Sequence, residues 1–200
     1  KNLKNYYRYE HCVGVMILLQ KLGALQEEQI AGLLHDVSHT AFSHVIDWVV
    51  GDGKTEDYQD KQHKDIITTS EISAILKRHK FDPHKISNYH HFGLLERDLP
   101  DLCADRIDYS LREFPRTIAK QCAYALIVQE GKIVFRNKDS ALLIARNFLT
   151  RQMEHWGGFE AASRYRLFAD ILRLALNKKI IHFKDFWKDD AHIISKLKRS

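Results

Sequence analysis

The chain has 200 residues, 44% of them hydrophobic and 28% charged, which suits one folded domain with a sizeable core. No apolar run approaches the roughly 18 residues that a membrane-spanning helix needs, so we expect no membrane association. The net charge of +5 suits an anionic ligand such as a nucleotide, although many proteins without such ligands carry a similar charge.

Hydrophobic residues repeat at helical intervals over most of the chain, which predicts a mainly α-helical fold. Gly23 is expected to end the first helix, and residues 51–64 are expected to form a loop. The predicted helices lie at 11–25, 27–36, 41–50, 66–78, 94–114, 140–155, 159–176 and 191–197. A further short helix is expected to begin at 82–84, and Pro100 is expected to interrupt the helix at 94–114.

One segment predicts β-structure. Glu130 and Gly131 lie between two short runs of β-branched and apolar residues, 125–128 and 132–135. A two-residue polar turn between such runs is typical of a β-hairpin. We therefore expect a small hairpin within 124–136, between helical segments.

The cysteines argue for a reducing compartment. Cys12, Cys103 and Cys122 are odd in number and none forms a CxxC pair, which argues against a disulfide framework. We expect a cytoplasmic or nuclear location. The chain begins at Lys1 rather than at methionine, inside a predicted helix, which is consistent with a fragment that lacks its natural N-terminal segment.

Histidine is the unusual feature of the composition, with twelve residues, four of them between positions 10 and 44. His35 and Asp36 come at the end of a predicted helix, where both side chains can turn toward one ion. An imidazole with a carboxylate suits Mn, Fe, Zn, Co or Mg rather than thiophilic metals. A single His-Asp pair is weak evidence, since most histidines are simply packed or solvated.

Two further residues strengthen the prediction of a metal site. His11 is on the helix before His35, and a short loop between antiparallel helices would bring the two together. Asp105 lies on a later predicted helix, in the string CADRIDY. His39 and His44 follow the His35-Asp36 pair and have no obvious use in a plain core.

Three strings together resemble the HD superfamily of metal-dependent phosphohydrolases. They are RYEH at 8–11, HDVSHTAFSH at 35–44 and DRIDY at 105–109. The branch they are most similar to is the deoxynucleoside triphosphate triphosphohydrolases, which include the sterile-alpha-motif and HD-domain protein and bacterial relatives. The resemblance implies an HD-domain helical bundle, with a metal-binding core at 1–120 and the hairpin and a C-terminal helical lobe at 121–200, in one domain.

The resemblance also implies roles for individual residues, around one divalent ion (Mn, Fe, Zn, Co, Ni or Mg). The implied metal ligands are His11, His35, Asp36 and Asp105. The implied catalytic residues are His39 and His44, which would line the phosphate pocket, and His63, which would protonate the leaving oxygen. The implied substrate-binding residues are Arg8, Arg106, Tyr109 and Arg146.

The resemblance predicts a nucleotide substrate, with metal-activated water releasing nucleoside and tripolyphosphate from a deoxynucleoside triphosphate. Where relatives carry a tyrosine after the last arginine, this chain has Glu154, His155 and Trp156, so the base or sugar pocket is expected to differ.

Three alternatives remain at this point. A nucleoside monophosphatase or a cyclic-nucleotide phosphodiesterase would use the same ligands, the second with His90 and His91 at an additional metal. A catalytically silent nucleotide- or RNA-binding module would have the HD fold without hydrolytic activity. The basic residues near the C-terminus favour a solvated helix face over a nucleic-acid site, and no pattern decides whether the chain forms a homo-oligomer.

Overall fold

The structure is a computed structural model that describes residues 7–51, 53 and 58–200. It confirms the predicted mainly helical fold with one small antiparallel sheet. The α-helices are α1 Arg8–Lys21, α2 Gln26–Leu34, α3 Val45–Val50, α4 Tyr58–Thr69, α5 Glu71–Arg78, α6 Pro83–Ile86, α7 Ala104–Glu113, α8 Arg116–Ala125, α9 Lys138–Arg151, α10 Phe159–Asn177 and α11 Asp190–Lys198. Short 3-10 helices lie at Tyr89–His91 and Phe183–Trp187, and a π-helical turn at Gln152–Trp156.

The described residues divide into two compact units. The first comprises 7–37 and 64–150, and the second comprises 38–63 and 151–200 apart from the undescribed positions. These boundaries differ from the subdivision at residue 120 that we expected from the hairpin. The organisation as one domain stays a prediction.

The first unit is built on the packing of α1 against α2 and α7. Gly32 lets α1 and α2 approach closely, because a Cβ at this position would lie 2.5 Å from Leu19 Cδ1. Gly23 follows the end of α1 with a positive φ of 78°, as predicted for a helix-terminating glycine. The fully buried side chains of this core include Val15, Leu19, Ile67, Ile86, Leu95 and Ile107.

The hairpin forms as predicted. β1, Leu126–Gln129, pairs antiparallel with β2, Lys132–Phe135. Glu130 and Gly131 make the connection with φ values of 52° and 72°. Two successive positive φ angles match the right-handed twist of the strands, and glycine adopts such an angle without steric cost.

The second unit packs α3 against α10 and the C-terminal helices. Its fully buried side chains include Leu172, Phe186 and Ile193. Arg173 of α10 covers the end of α3 by donating hydrogen bonds to the carbonyl oxygens of Trp48, Val49 and Gly51. The last carbonyls of α3, which have no partner within the helix, are satisfied in this way.

Two predicted helices begin later than expected. α3 begins at Val45 rather than at 41, because Phe42 and Ser43 adopt left-handed conformations with φ of 60° and 52°. Residues 94–103 are not helical, and α7 begins only at Ala104. There the carboxylate of Glu28 accepts hydrogen bonds from the backbone N–H groups of Leu94 and Leu95, at 2.7 and 3.0 Å.

Other boundaries also differ from the prediction. The segment predicted as a loop at 51–64 is helical from Tyr58 onward, and positions 52 and 54–57 lie outside the described residues. The helix predicted at 66–78 is two helices, divided at Ser70, whose hydroxyl accepts from the N–H of Ile72. α8 was not predicted at all.

No helix in the described ranges has the length and apolar character that crossing a membrane requires.

Candidate metal centre

Three helices place the four predicted metal ligands. His11 lies in the first turns of α1, His35 is the residue at the C-terminal end of α2, and Asp36 follows it. Asp105 lies in the first turn of α7. Because α1 packs against both α2 and α7, the side chains of all four residues meet inside the first unit.

Ligand atoms of His11, His35 and Asp36 lie within 4.8 Å of one another, and all three residues are buried. His11 Nε2 is 3.8 Å from Asp36 Oδ2 and 2.9 Å from Asp105 Oδ1. His35 Nε2 is 3.4 Å from Asp36 Oδ1 and 3.4 Å from Asp105 Oδ1. Two imidazoles and two carboxylates therefore face one small volume.

His35 provides the test of whether this volume suits a cation. Its Nδ1 lies 2.8 Å from the carbonyl oxygen of Gly32, which can only accept, so Nδ1 carries the proton. In the neutral ring, Nε2 then holds a lone pair, and this buried atom makes no hydrogen bond. A lone pair facing two carboxylates is unfavourable, so either a proton on Nε2 or a metal ion is expected between them. The donor set fits a divalent ion with nitrogen and oxygen ligands.

The ionisation of the cluster agrees with this reading. Burial disfavours a charged His11, but the carboxylates of Asp105 and Asp108 outweigh it and raise the pKa to about 9. Burial also opposes charge on His35, and again Asp105 and Asp36 raise its pKa. Although burial opposes charge on Asp105 too, the two histidines lower its pKa to about 2. The carboxylates thus favour positive charge at both imidazoles.

Arg8 lies beside the cluster, at the first residue of α1. Its Nη1 donates to Asp36 Oδ2 at 2.5 Å, and 34% of its side chain is exposed. The guanidinium thus reaches both a candidate ligand and solvent, which is compatible with the predicted contact to a phosphate.

A group of residues behind His11 was not among the predicted site residues. His11 Nδ1 lies 2.8 Å from Asp108 Oδ2. Arg112 donates to both oxygens of Asp108, at 2.5 and 3.3 Å, and to the carbonyl oxygen of Glu10 at 2.6 Å. The only sequence signal was the Asp108–Arg112 spacing of four residues on a predicted helix, which is typical of an intrahelical ion pair.

The remaining predicted substrate residues of the first unit have different surroundings. Arg106 donates to the carbonyl oxygens of Asp101 and Arg97, at 2.7 and 3.1 Å, so its guanidinium ties down the segment before α7. Burial and the charge of Asp105 raise the pKa of Tyr109 to about 12, which keeps its phenol neutral. Arg146 is exposed on α9. Their substrate contacts stay predictions.

The three predicted catalytic histidines belong to the second unit. His39 and His44 contact each other edge to face, with ring centroids 5.1 Å apart. His44 Nδ1 lies 3.8 Å from Asp47 Oδ2. His63 is 2% exposed within α4, where its Nδ1 is 3.3 Å from the hydroxyl oxygen of Ser38. Their catalytic roles stay predictions from the resemblance.

His90 and His91, considered for a second metal, lie in the short 3-10 helix, where both are exposed. Among the described residues, the cluster of His11, His35 and Asp36 is the single group of three or more metal-binding side chains with such spacing.

Comparison with known proteins gives the following matches. A family model described as "HD domain" matches residues 8–113. An uncharacterized protein of Bacillus subtilis is 37% identical over 203 residues, covering 98% of this chain and 62% of the relative. A metal-dependent phosphohydrolase of Cordyceps militaris is 31% identical over 189 residues, covering 93% and 48% respectively.

One solved structure shows a similar fold. It is the crystal structure of a hypothetical protein from Aquifex aeolicus at 2.0 Å resolution, with a TM-score of 0.57 at 23% identity. The alignment covers 96% of this chain and 59% of that one. This chain thus spans about half to three fifths of the length of these three proteins. The family match at 8–113 contains the four candidate ligands and Arg8.

Proposed function

We propose that this chain, which belongs to the HD domain family, is a metal-dependent phosphohydrolase that acts on nucleotides. The observation that carries the proposal is the buried Nε2 of His35, which makes no hydrogen bond and faces two carboxylates. The relative from Cordyceps militaris, named a metal-dependent phosphohydrolase, supports the same reaction class.

His11, His35, Asp36 and Asp105 would hold the ion. A divalent ion at such a site supplies Lewis acidity, which acts on a phosphoryl oxygen and on water. The protein supplies the geometry. Helix ends and buried hydrogen bonds would fix the ligand side chains before substrate binds, so these side chains need to move little during the reaction.

Arg8 would bind the negative charge of the substrate. Its guanidinium lies beside Asp36 and is about one-third exposed, so it can donate to a phosphate without losing its place in the cluster. We expect Arg8 to contribute mainly to substrate binding and to the charge that develops on phosphoryl oxygens, and to have little influence on metal retention.

For the substrate class, we propose deoxynucleoside triphosphates, cleaved to nucleoside and tripolyphosphate. The support for this finer assignment is the similarity of the RYEH and HDVSHTAFSH strings to that branch of the superfamily. Because the chain covers 62% and 48% of two relatives, the test uses a broad panel of substrates.

The test is product analysis with several metals. The protein is incubated with the four deoxynucleoside triphosphates, the ribonucleotides and cyclic nucleotides, in Mn, Mg, Co or Fe, and products are resolved by ion exchange. Asp36→Ala removes a candidate ligand, and Asp139→Ala makes the same change at an exposed position of α9. We expect nucleoside and tripolyphosphate from the native protein and Asp139→Ala, and none from Asp36→Ala.

Other products would change the proposal in defined ways. Release of inorganic phosphate from monophosphates, or of a monophosphate from a cyclic nucleotide, would support the phosphohydrolase activity but contradict the proposed substrate class. Equal turnover by Asp36→Ala would contradict the proposed centre. Metal binding without any product would favour a binding module.

A further inference from the structure

We propose that Asp108 and Arg112 form a positioning pair that fixes the tautomer and orientation of His11, so that its Nε2 is presented to the candidate metal centre. This inference rests on the proposed function. Neither residue belongs to the ligand set, and both act through His11.

Each ring nitrogen of His11 faces a carboxylate. Nδ1 is 2.8 Å from Asp108 Oδ2, and Nε2 is 2.9 Å from Asp105 Oδ1. The neutral imidazole is the form that binds a metal. It has one N–H, and a carboxylate can only accept, so in this form one of the two contacts is the donated one. If Asp108 takes the Nδ1 proton, Nε2 keeps its lone pair for a metal that Asp105 also binds.

The Asp108 carboxylate is held more firmly than a lone surface carboxylate would be. Arg112, one turn later on α7, donates from Nε to Oδ2 at 2.5 Å and from Nη2 to Oδ1 at 3.3 Å. The same Nη2 donates to the carbonyl oxygen of Glu10 at 2.6 Å, which ties the pair to the helix that carries His11. Asp108 is 13% exposed, so water competes weakly for its oxygens.

Gly14 makes room for this pair. It lies three residues after His11 on α1, and a Cβ there would be 2.2 Å from Asp108 Oδ1 and 2.3 Å from Arg112 Nη2. Glycine inside a helix lowers the stability of the helix relative to alanine. The close approach of the ion pair to the α1 backbone accounts for a glycine at this position.

The second histidine of the centre, His35, is held in a similar way, with the Gly32 carbonyl in place of the Asp108 carboxylate as the acceptor of its Nδ1 proton. His35 donates its Nδ1 proton to the Gly32 carbonyl at 2.8 Å and leaves Nε2 facing the carboxylates. With Asp108 as acceptor for His11, both rings present Nε2 to the same volume. A charged acceptor additionally raises the basicity of the ring, which strengthens it as a ligand.

The test compares Asp108→Asn with Glu113→Gln, which removes one charge at an exposed position of the same helix. Affinity for Mn²⁺ and Co²⁺ is measured by competition with a chelating dye. The tautomer of His11 in the metal-free protein is read from ¹⁵N imidazole shifts at a pH where the ring is neutral. Asparagine keeps the shape of aspartate but can donate as well as accept, so it no longer enforces the Nδ1 proton.

We expect Asp108→Asn to bind metal about 10- to 100-fold more weakly and to lose the Nδ1–H tautomer. Glu113→Gln should match the native protein, and Gly14→Ala should weaken binding in the same direction as Asp108→Asn. Affinity of Asp108→Asn within about threefold of native, with the tautomer retained, would overturn the positioning role. Absence of metal binding by the native protein would reject the proposed function, while the tautomer in metal-free protein would still decide the role of Asp108.

Discussion

At the scale of single residues, the behaviour of the centre depends on where protons reside. His11 has a pKa raised to about 9 by the carboxylates of Asp105 and Asp108, which outweigh the effect of burial, and the pKa of His35 is raised as well. Near neutral pH the metal-free cluster therefore holds protons where an ion would bind. Metal and proton compete for the same lone pairs.

From this competition we predict that the apparent affinity for a divalent metal rises with pH. Below about pH 9, binding must displace the proton of His11, so affinity should increase roughly tenfold per pH unit for each proton released. Calorimetric titrations at pH 7 in buffers of different ionisation enthalpy would count these protons. Affinity that is independent of pH between 6 and 8, with no proton release, would contradict the assigned protonation.

Some residues of the centre could be predicted from the sequence, and others could not. His11, His35, Asp36 and Asp105 were predicted together because short strings around them resemble a family. For Asp108, the sequence offers only its spacing of four residues from Arg112, which is typical of an intrahelical ion pair. Its contact with His11 requires the packing of α1 on α7, and no local pattern encodes that packing.

At the scale of elements, Asp185 organises the C-terminal helices of the second unit. Its buried carboxylate accepts hydrogen bonds from the backbone N–H of His182 at 2.8 Å, from Lys196 Nζ at 2.7 Å and, across 3.0 Å, from His192 Nε2. The Lys196 ammonium and these other donors lower the pKa of Asp185. The carboxylate thus links the 3-10 helix at Phe183–Trp187 to α11.

We predict that Asp185→Ala destabilises the protein by about 1–3 kcal/mol, because it leaves buried or partly buried donors without an acceptor. The matched variant is Asp189→Ala, which removes the single hydrogen bond that the Asp189 side chain accepts from the N–H of His192. We expect it to lower the free energy of unfolding by about 1 kcal/mol. Urea unfolding of both variants gives the comparison. An equal or smaller loss for Asp185→Ala would show that this network does not hold the C-terminal elements together.

The elements that sequence patterns predicted well are those with local causes. The hairpin depends on Glu130 and Gly131 at its turn, and α1 ends beside Gly23. The errors arose where a distant group decided the conformation. Leu94, the first of the non-helical residues 94–103, donates its N–H to the Glu28 carboxylate, and that contact joins positions 66 residues apart in the sequence.

At the scale of the whole molecule, the candidate centre lies entirely within the first compact unit, and the segment with His39, His44 and His63 belongs to the second. This division is not a simple cut along the sequence, because the chain leaves the first unit directly after Asp36 and Val37 and returns to it at Lys64. A linear subdivision near the hairpin could not have anticipated it. All four candidate ligands nevertheless belong to the first unit.

The most direct test of this account is the metal content and metal affinity of the protein and of His35→Ala. His79→Ala, at an exposed position after α5, is the matched histidine control. We predict that the native protein and His79→Ala each bind one divalent ion per chain by mass spectrometry and Co²⁺ absorption, and that His35→Ala loses it. Native protein without bound metal after loading, or undiminished binding by His35→Ala, would contradict the central claim.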